Sequence, residues 1–402
     1  MEQEIRKTET PASAPLVIIA QLRRQLAGLM RIEEHRVVRP PDAVIAFRGQ
    51  VYDDTETAFE RMTQRFANCG YTASLRDQPG GGHEVVAIKG VIKRKPSRTW
   101  INVVLFLATL ISVLYVGAGY ALGYAGLIET PQSPEDTIKA LIMPLNNLHW
   151  GIPFAATLLG ILLTHELSHY FVARRYGSPV SLPFFIPLPL PDSLGTMGAV
   201  IVQRAPMRNR KALFDIGVAG PFGGLIVAIP LLILGLVLSS VGPIPPDLGA
   251  VTQEGNSLLY LGLKYLVFGK ILPSNGEDVW LHPVAFAAWA GLLVTMINLI
   301  PVGQLDGGHV SYALLGRRAR TLGYVIIAAM IAWGGWLLMS GNGAGGFWMT
   351  WGFLNLILNP RHPPPLDDAT KLHGRRVALG LLTLTIFVLL FMPAPLQVVS
   401  IQ

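Results

Sequence analysis

The sequence predicts a polytopic α-helical membrane protein with about seven transmembrane helices and a small N-terminal α+β domain. Composition is the first observation. Of 402 residues, 51% are hydrophobic and 14% are charged, against about 25% charged in a soluble domain. Mean hydropathy is +0.45. The second is a change of character near residue 98, after which apolar runs of spanning length follow one another. The third is the placing of Lys and Arg beside those runs, which gives the net charge of +7 a topological meaning. These features exclude an ordinary soluble enzyme and a disordered chain, and they fit a bilayer better than a nucleic-acid partner. With Cys69 the one cysteine, an intrachain disulfide and a multi-thiolate metal site are both excluded.

Residues 1–98 read as soluble, with 16 Lys/Arg against 12 Asp/Glu. Residues 15–35 suggest a helix and Ala43–Phe47 a strand. Over Asp54–Ala67 the apolar residues Ala58, Phe59, Met62 and Phe66 recur on one helical face. Tyr71–Leu75 and Glu84–Ile88 read as strands joined by a turn over Pro79–Gly82. The module shows no catalytic cluster and is expected to be a cytosolic accessory domain. The apolar run near the N-terminus is short and is followed by Arg23 and Arg24, unlike a secretory signal.

From Trp100 onward, residues 99–402 form the predicted membrane domain, its core near 146–316. Spans are expected near 101–124, 151–173, 213–240, 283–300, 321–340 and 376–396, with a shorter run over 345–359. Basic clusters flank them: Lys93, Arg94, Lys95 and Arg98; Arg174 and Arg175; Arg204, Arg208, Arg210 and Lys211; Arg317, Arg318 and Arg320; Arg361, Lys371, Arg375 and Arg376. Seven spans with the N-terminus inside place every cluster on the cytoplasmic side. A cell membrane with a cytoplasmic N-terminus is the expected location.

The second span carries Thr164-His165-Glu166-Leu167-Ser168-His169. Histidines four apart share one helical face and can bind one metal ion. The Glu beside the first is placed to act as general base toward water. Ionisable residues inside a span are functional by default. Both histidines lie roughly 8–14 Å inward of Arg174 at 1.5 Å per residue. A catalytic zinc needs a third protein ligand and an open position. The stretch Asn298-Leu-Ile-Pro-Val-Gly-Gln-Leu-Asp306-Gly-Gly-His309 offers Asp306 at the same side of the membrane. On spacing alone a helix-ending turn with a solvated Asp stays open.

Together the two motifs resemble the site-2 protease family of intramembrane zinc metallopeptidases, peptidase family M50. The resemblance implies that His165, His169 and Asp306 bind one Zn²⁺ and that Glu166 is the catalytic base. It places Asn298, eight residues before the Asp, at the substrate. It also implies a membrane-associated β-hairpin over Pro183–Ala199, with Gly198 and Ala199 in a segment whose edge pairs with extended substrate. Gly220-Pro221-Phe222-Gly223-Gly224 resembles the family's Gly-Pro motif. Within the family the nearest look is to the ethylene-dependent gravitropism-deficient and yellow-green-like branch, on the Gly-x-x-Gly-Ala hairpin, the spans after the Asp motif and Arg361–Asp367.

The implied activity is zinc endoproteolysis of transmembrane segments near the cytoplasmic face, in regulated intramembrane proteolysis. The expected partners are a transmembrane protein substrate and the lipid bilayer, with no nucleic acid; oligomeric state stays open. His309 reads either as an outer support of the ligand set or as turn packing, His362 as a loop residue, and Asp215 as interfacial or capping. Two alternatives stand: a catalytically silent relative that binds membrane proteins, and a metal or proton transporter. The intact ligand set speaks against the first, and ligands near one face without a visible repeat against the second.

Overall fold

The computed structural model describes residues 14–38, 44–91, 98–128, 133–191, 193–243, 250–358 and 361–400, which divide into two compact units. Lys93, Arg94 and Lys95 of the first basic cluster lie outside the described residues. One unit combines the first 95 residues with Pro206–Arg210 and Pro364–Lys371. It holds α1 (Ala14–Gln25), β1 (Met30–Val38), β2 (Val44–Val51), α2 (Thr55–Asn68), β3 (Tyr71–Asp77) and β4 (His83–Lys89).

The sheet is antiparallel in the order β1-β2-β4-β3. Asp54 caps α2 by accepting the N–H groups of Glu56 and Thr57 at 3.0 and 3.1 Å. Ala58, Phe59, Met62 and Phe66 are buried, as their spacing predicts. The helix expected over 15–35 is shorter: it ends at Gln25, Gly28 takes a positive φ of 74°, and β1 pairs with β2 from Met30–Val51 to Val38–Val44. Strand pairing, a tertiary contact, overrides local helical preference there.

β3 is one edge of the sheet, and a distant segment covers it. Leu75 N–H donates to Leu366 O at 2.7 Å, and Asp368 N–H donates to Leu75 O at 2.9 Å. The N–H groups of Leu366 and Asp367 donate in turn to Met207 O and Arg208 O, which draws 206–210 in beside it. The fully buried Asp367 carboxylate accepts the N–H groups of Ala369 and Thr370 at 3.1 and 3.0 Å.

The other unit runs α3 (Thr99–Tyr124), α4 (Pro134–Asn146), α5 (Ile152–Arg175), β5 (Phe184–Pro187), β6 (Thr196–Val200), α6 (Arg210–Val237), β7 (Ser240–Pro243), β8 (Ala250–Glu254), α7 (Leu258–Phe268), β9 (Glu277–Trp280), α8 (Pro283–Asn298), α9 (Asp306–Leu315), α10 (Ala319–Met339), α11 (Gly345–Ile357), α12 (Gly374–Leu390) and β10 (Leu396–Ser400). Among the described residues four helical stretches are long and apolar enough to cross a membrane: Thr99–Tyr124, Leu148–Arg175, Arg210–Val237 and Asp306–Met339. The last joins α9 and α10 through a short 3₁₀ turn, so it starts well before the apolar run at 321–340. α8 is apolar and almost wholly buried but has only 16 residues, about 24 Å of helix. The run at 376–396 yields α12 only to Leu390, because Pro393 and Pro395 end it. The chain then pairs as β10 with β8, Leu396 opposite Glu254.

Glycines set how closely these helices pack, as in membrane bundles. A Cβ at Gly291 of α8 would sit 2.8 Å from Ile161 of α5. A Cβ at Gly235 of α6 would overlap the Ala285 backbone of α8. α8 is thereby packed closely against both α5 and α6.

Candidate metal centre

α5 presents His165 and His169 on one face, both buried, and α9 brings Asp306 to them. The two Nε2 atoms are 3.1 Å apart. Asp306 Oδ2 lies 3.1 Å from His165 Nε2 and 3.3 Å from His169 Nε2. Among the described residues these three side chains gather their ligand atoms within 4.8 Å of one another. Ligands about 2.0–2.1 Å from a tetrahedral zinc stand roughly 3.3 Å apart, so the donor set matches zinc in type and spacing. Two imidazoles and a carboxylate leave a fourth position open.

His169 Nδ1–H donates to the backbone carbonyl of Ile216 on α6 at 2.7 Å. That bond puts the proton on Nδ1 and leaves the Nε2 lone pair facing Asp306 and His165. α6 can approach so closely because it lacks side chains at the right places. A Cβ at Gly220 would overlap His169 Nε2, and one at Gly223 would overlap Ser168 Oγ. One at Gly224 would lie 3.3 Å from His165 Nδ1 and 3.7 Å from Thr295 Oγ1 of α8. One at Gly217 would lie 2.8 Å from His309 Cβ. Glycines at 217, 220 and 224 share a helical face, a spacing visible in the sequence whose meaning emerges only with α5 and α9 against it.

Asp306 owes its place to the Gly-Gly that follows it. The chain leaves α8 at Asn298, turns through Gly303 at φ 53°, and re-enters helix at Asp306. A Cβ at Gly307 would overlap Leu299 O, and one at Gly308 would overlap Gly303 O. The two glycines therefore let the turn fold back onto the start of α9. The Asp306 carboxylate also sits in the first turn of that helix, where the positive end of its dipole favours a negative charge.

Glu166 follows His165 on α5 and is buried. The backbone N–H of Ile201, one residue past β6, faces its carboxylate. β6 pairs antiparallel with β5, Ala199 opposite Phe185, so Ala199 lies in a two-stranded hairpin that leads to Glu166. Gly198 has φ 99° with open space where a Cβ would go; backbone conformation, not crowding, calls for glycine there. Asn298 ends α8, half-buried, one turn beyond the Thr295 that faces His165 across Gly224. His309 Nδ1 lies 2.6 Å from His362 Nε2, and Tyr312 packs on the His362 ring at 4.7 Å. His362 is thus no free loop residue. Burial, with His309 beside it, pushes it down to about 3, so it is neutral.

Residues 153–340, which include all four motif side chains, match the family model described as peptidase family M50. The chain is 28% identical over 386 residues to the probable zinc metalloprotease EGY1, chloroplastic, of Arabidopsis thaliana, covering 87% of this chain and 66% of that protein. It is 28% identical over 285 residues to the probable zinc metalloprotease EGY2, chloroplastic, of Oryza sativa subsp. indica, covering 69% and 49%. It is 27% identical over 373 residues to EGY2 of Arabidopsis thaliana, covering 89% and 61%. The chain therefore spans about half to two thirds of the length of these relatives. No solved structure matches. Over residues 153–340, which enclose the ligand set, the chain is similar to peptidase family M50.

Proposed function

We propose that this protein is an intramembrane zinc metalloendopeptidase that cuts transmembrane segments of membrane proteins near the cytoplasmic face. The observation that carries the reading is the meeting of His165, His169 and Asp306 within 4.8 Å, with Glu166 adjacent on the same helix. His165, His169 and Asp306 hold the ion. When bound, zinc supplies Lewis acidity, lowering the pKa of water and polarising a carbonyl. Glu166 takes a proton from water as its oxygen attacks the peptide carbon. Glu166 then returns that proton to the leaving nitrogen, so the amide and one water yield one carboxylic acid and one amine. The hairpin supports the same reading. A transmembrane helix must unwind before its peptide bond is reached, and pairing along β6 at Gly198 and Ala199 satisfies the freed backbone groups. Asn298 is placed to donate to substrate, and His309, held by His362, braces the Asp306 turn.

The four long apolar stretches are extended to about seven spans by α8, α11 and α12, with the N-terminus on the cytoplasmic side of a cell membrane. The N-terminal unit serves as a cytosolic accessory domain. Glu166→Gln tests the chemistry. The variant retains zinc and loses about 10²–10⁴-fold in cleavage of a single-span reporter protein in liposomes. Cleavage at the wild-type rate would remove Glu166 from the role of base.

A further inference from the structure

Tyr176, Asp215 and Arg376 join three helices at the end of the unit that carries the metal ligands. Arg376, in the first turn of α12, donates Nε–H to Asp215 Oδ1 and a terminal N–H to Oδ2, both at 2.8 Å. That bidentate fork is the strong form of an Arg–carboxylate pair. Tyr176, which caps α5 seven residues after His169, donates its hydroxyl to Asp215 Oδ2. Arg376 also reaches the Tyr176 oxygen at 3.4 Å. Asp215 is therefore neither a cap nor a free interfacial charge.

Its neighbour in sequence is Ile216, whose carbonyl accepts from His169 Nδ1. The staple and the ligand contact thus fall on one turn of α6. That turn lacks a rung of its own. Pro221 has no N–H to donate to the carbonyl of Gly217, so helical bonding alone holds the Ile216 region less firmly. The clearance is also fine: a Cβ at Gly220 would overlap His169 Nε2.

We propose that Arg376, acting through Asp215 and Tyr176, is a positioning residue for the metal ligand His169: it fixes the depth and rotation of α6, and hence the Ile216 carbonyl. The proposal rests on the metal-centre reading above. α12 lies beyond the residues 153–340 that match the family, so that match assigns Arg376 no role. Outer partners of a metal-bound histidine are worth about 10–100-fold in metal affinity. A plain clamp between helices would instead change only the stability of the fold.

The test uses the full chain purified in detergent, with zinc affinity from chelator competition and the visible spectrum of the cobalt-substituted protein. The melting temperature of the metal-free protein is the control. Arg376→Ala is expected to weaken zinc about 10–100-fold and to alter the cobalt spectrum. Arg376→Lys, which keeps the charge but loses the fork, recovers only part of the affinity. If Arg376→Ala does not fold, Arg376→Lys and Tyr176→Phe carry the test, since both keep a cation opposite Asp215. Weaker zinc in either, beyond what the metal-free melting temperature accounts for, supports the proposal. Wild-type affinity and an unchanged cobalt spectrum in the folded variants overturn it while leaving the metal centre standing. A wild-type chain that binds no zinc removes both.

Discussion

At the residue scale, the site divides by how far apart its parts lie along the chain. His165, Glu166 and His169 are legible because they are neighbours on one helix, where i and i+4 share a face. Asp306 is legible only through the motif that surrounds it. The Ile216 carbonyl is not legible, since no residue type marks a backbone oxygen as a partner for histidine. The pairing of His309 with His362 joins positions 53 residues apart, and no local spacing announces it. Gly220 gives the sharpest residue prediction. Gly220→Ala adds one methyl where His169 Nε2 stands, while Ala raises helix propensity by roughly 1 kcal/mol. The variant is therefore expected to stay folded, to bind zinc at least about tenfold more weakly, and to lose cleavage. Circular dichroism and zinc titration check it together. Full affinity in a folded Gly220→Ala protein would mean that α6 does not pack on His169 as described.

Among the elements, the long apolar helices are legible from run length, and their ends are not. α12 stops at Leu390 because Pro393 and Pro395 follow, and the chain beyond it pairs as β10 with β8. That partner lies about 140 residues earlier, outside the reach of any local pattern. β1 is missed for a related reason: its nine residues become a strand through β2, while their own sequence continues an amphipathic pattern. The hairpin is legible through the family resemblance, but its anchoring is not. Asn102 Nδ2 of α3 donates to the carbonyls of Leu182 and Pro183, both at 2.9 Å, and Ser112 Oγ donates to Gly195 O at 2.7 Å. Gly195 has φ 77°, and a Cβ there would lie 2.7 Å from Val113 Cα. Gly195→Ala is expected to cost about 2–4 kcal/mol, from strained backbone plus overpacking. Its melting temperature falls and its cleavage falls, while zinc content stays at the wild-type level, because the hairpin supplies no ligand. Thermal melts beside zinc analysis test this, and an unchanged melting temperature with full cleavage would detach the hairpin from α3.

For the whole molecule, two motifs 141 residues apart in sequence meet to form the donor set for one ion. Helices that carry the first motif and helices that carry the second need to pack closely, and the glycines of α6 and α8 allow it. The sequence shows each motif separately, and also the apolar stretches that set them at similar depth. Contact between the motifs depends on glycine clearances that become meaningful only in three dimensions. The most direct measurement is zinc per chain in detergent-purified protein, wild type beside Asp306→Ala. About one zinc is expected in the wild type and a strongly reduced content in the variant, with both proteins folded. Equal zinc in the two, or none in the wild type after reconstitution, would contradict that expectation.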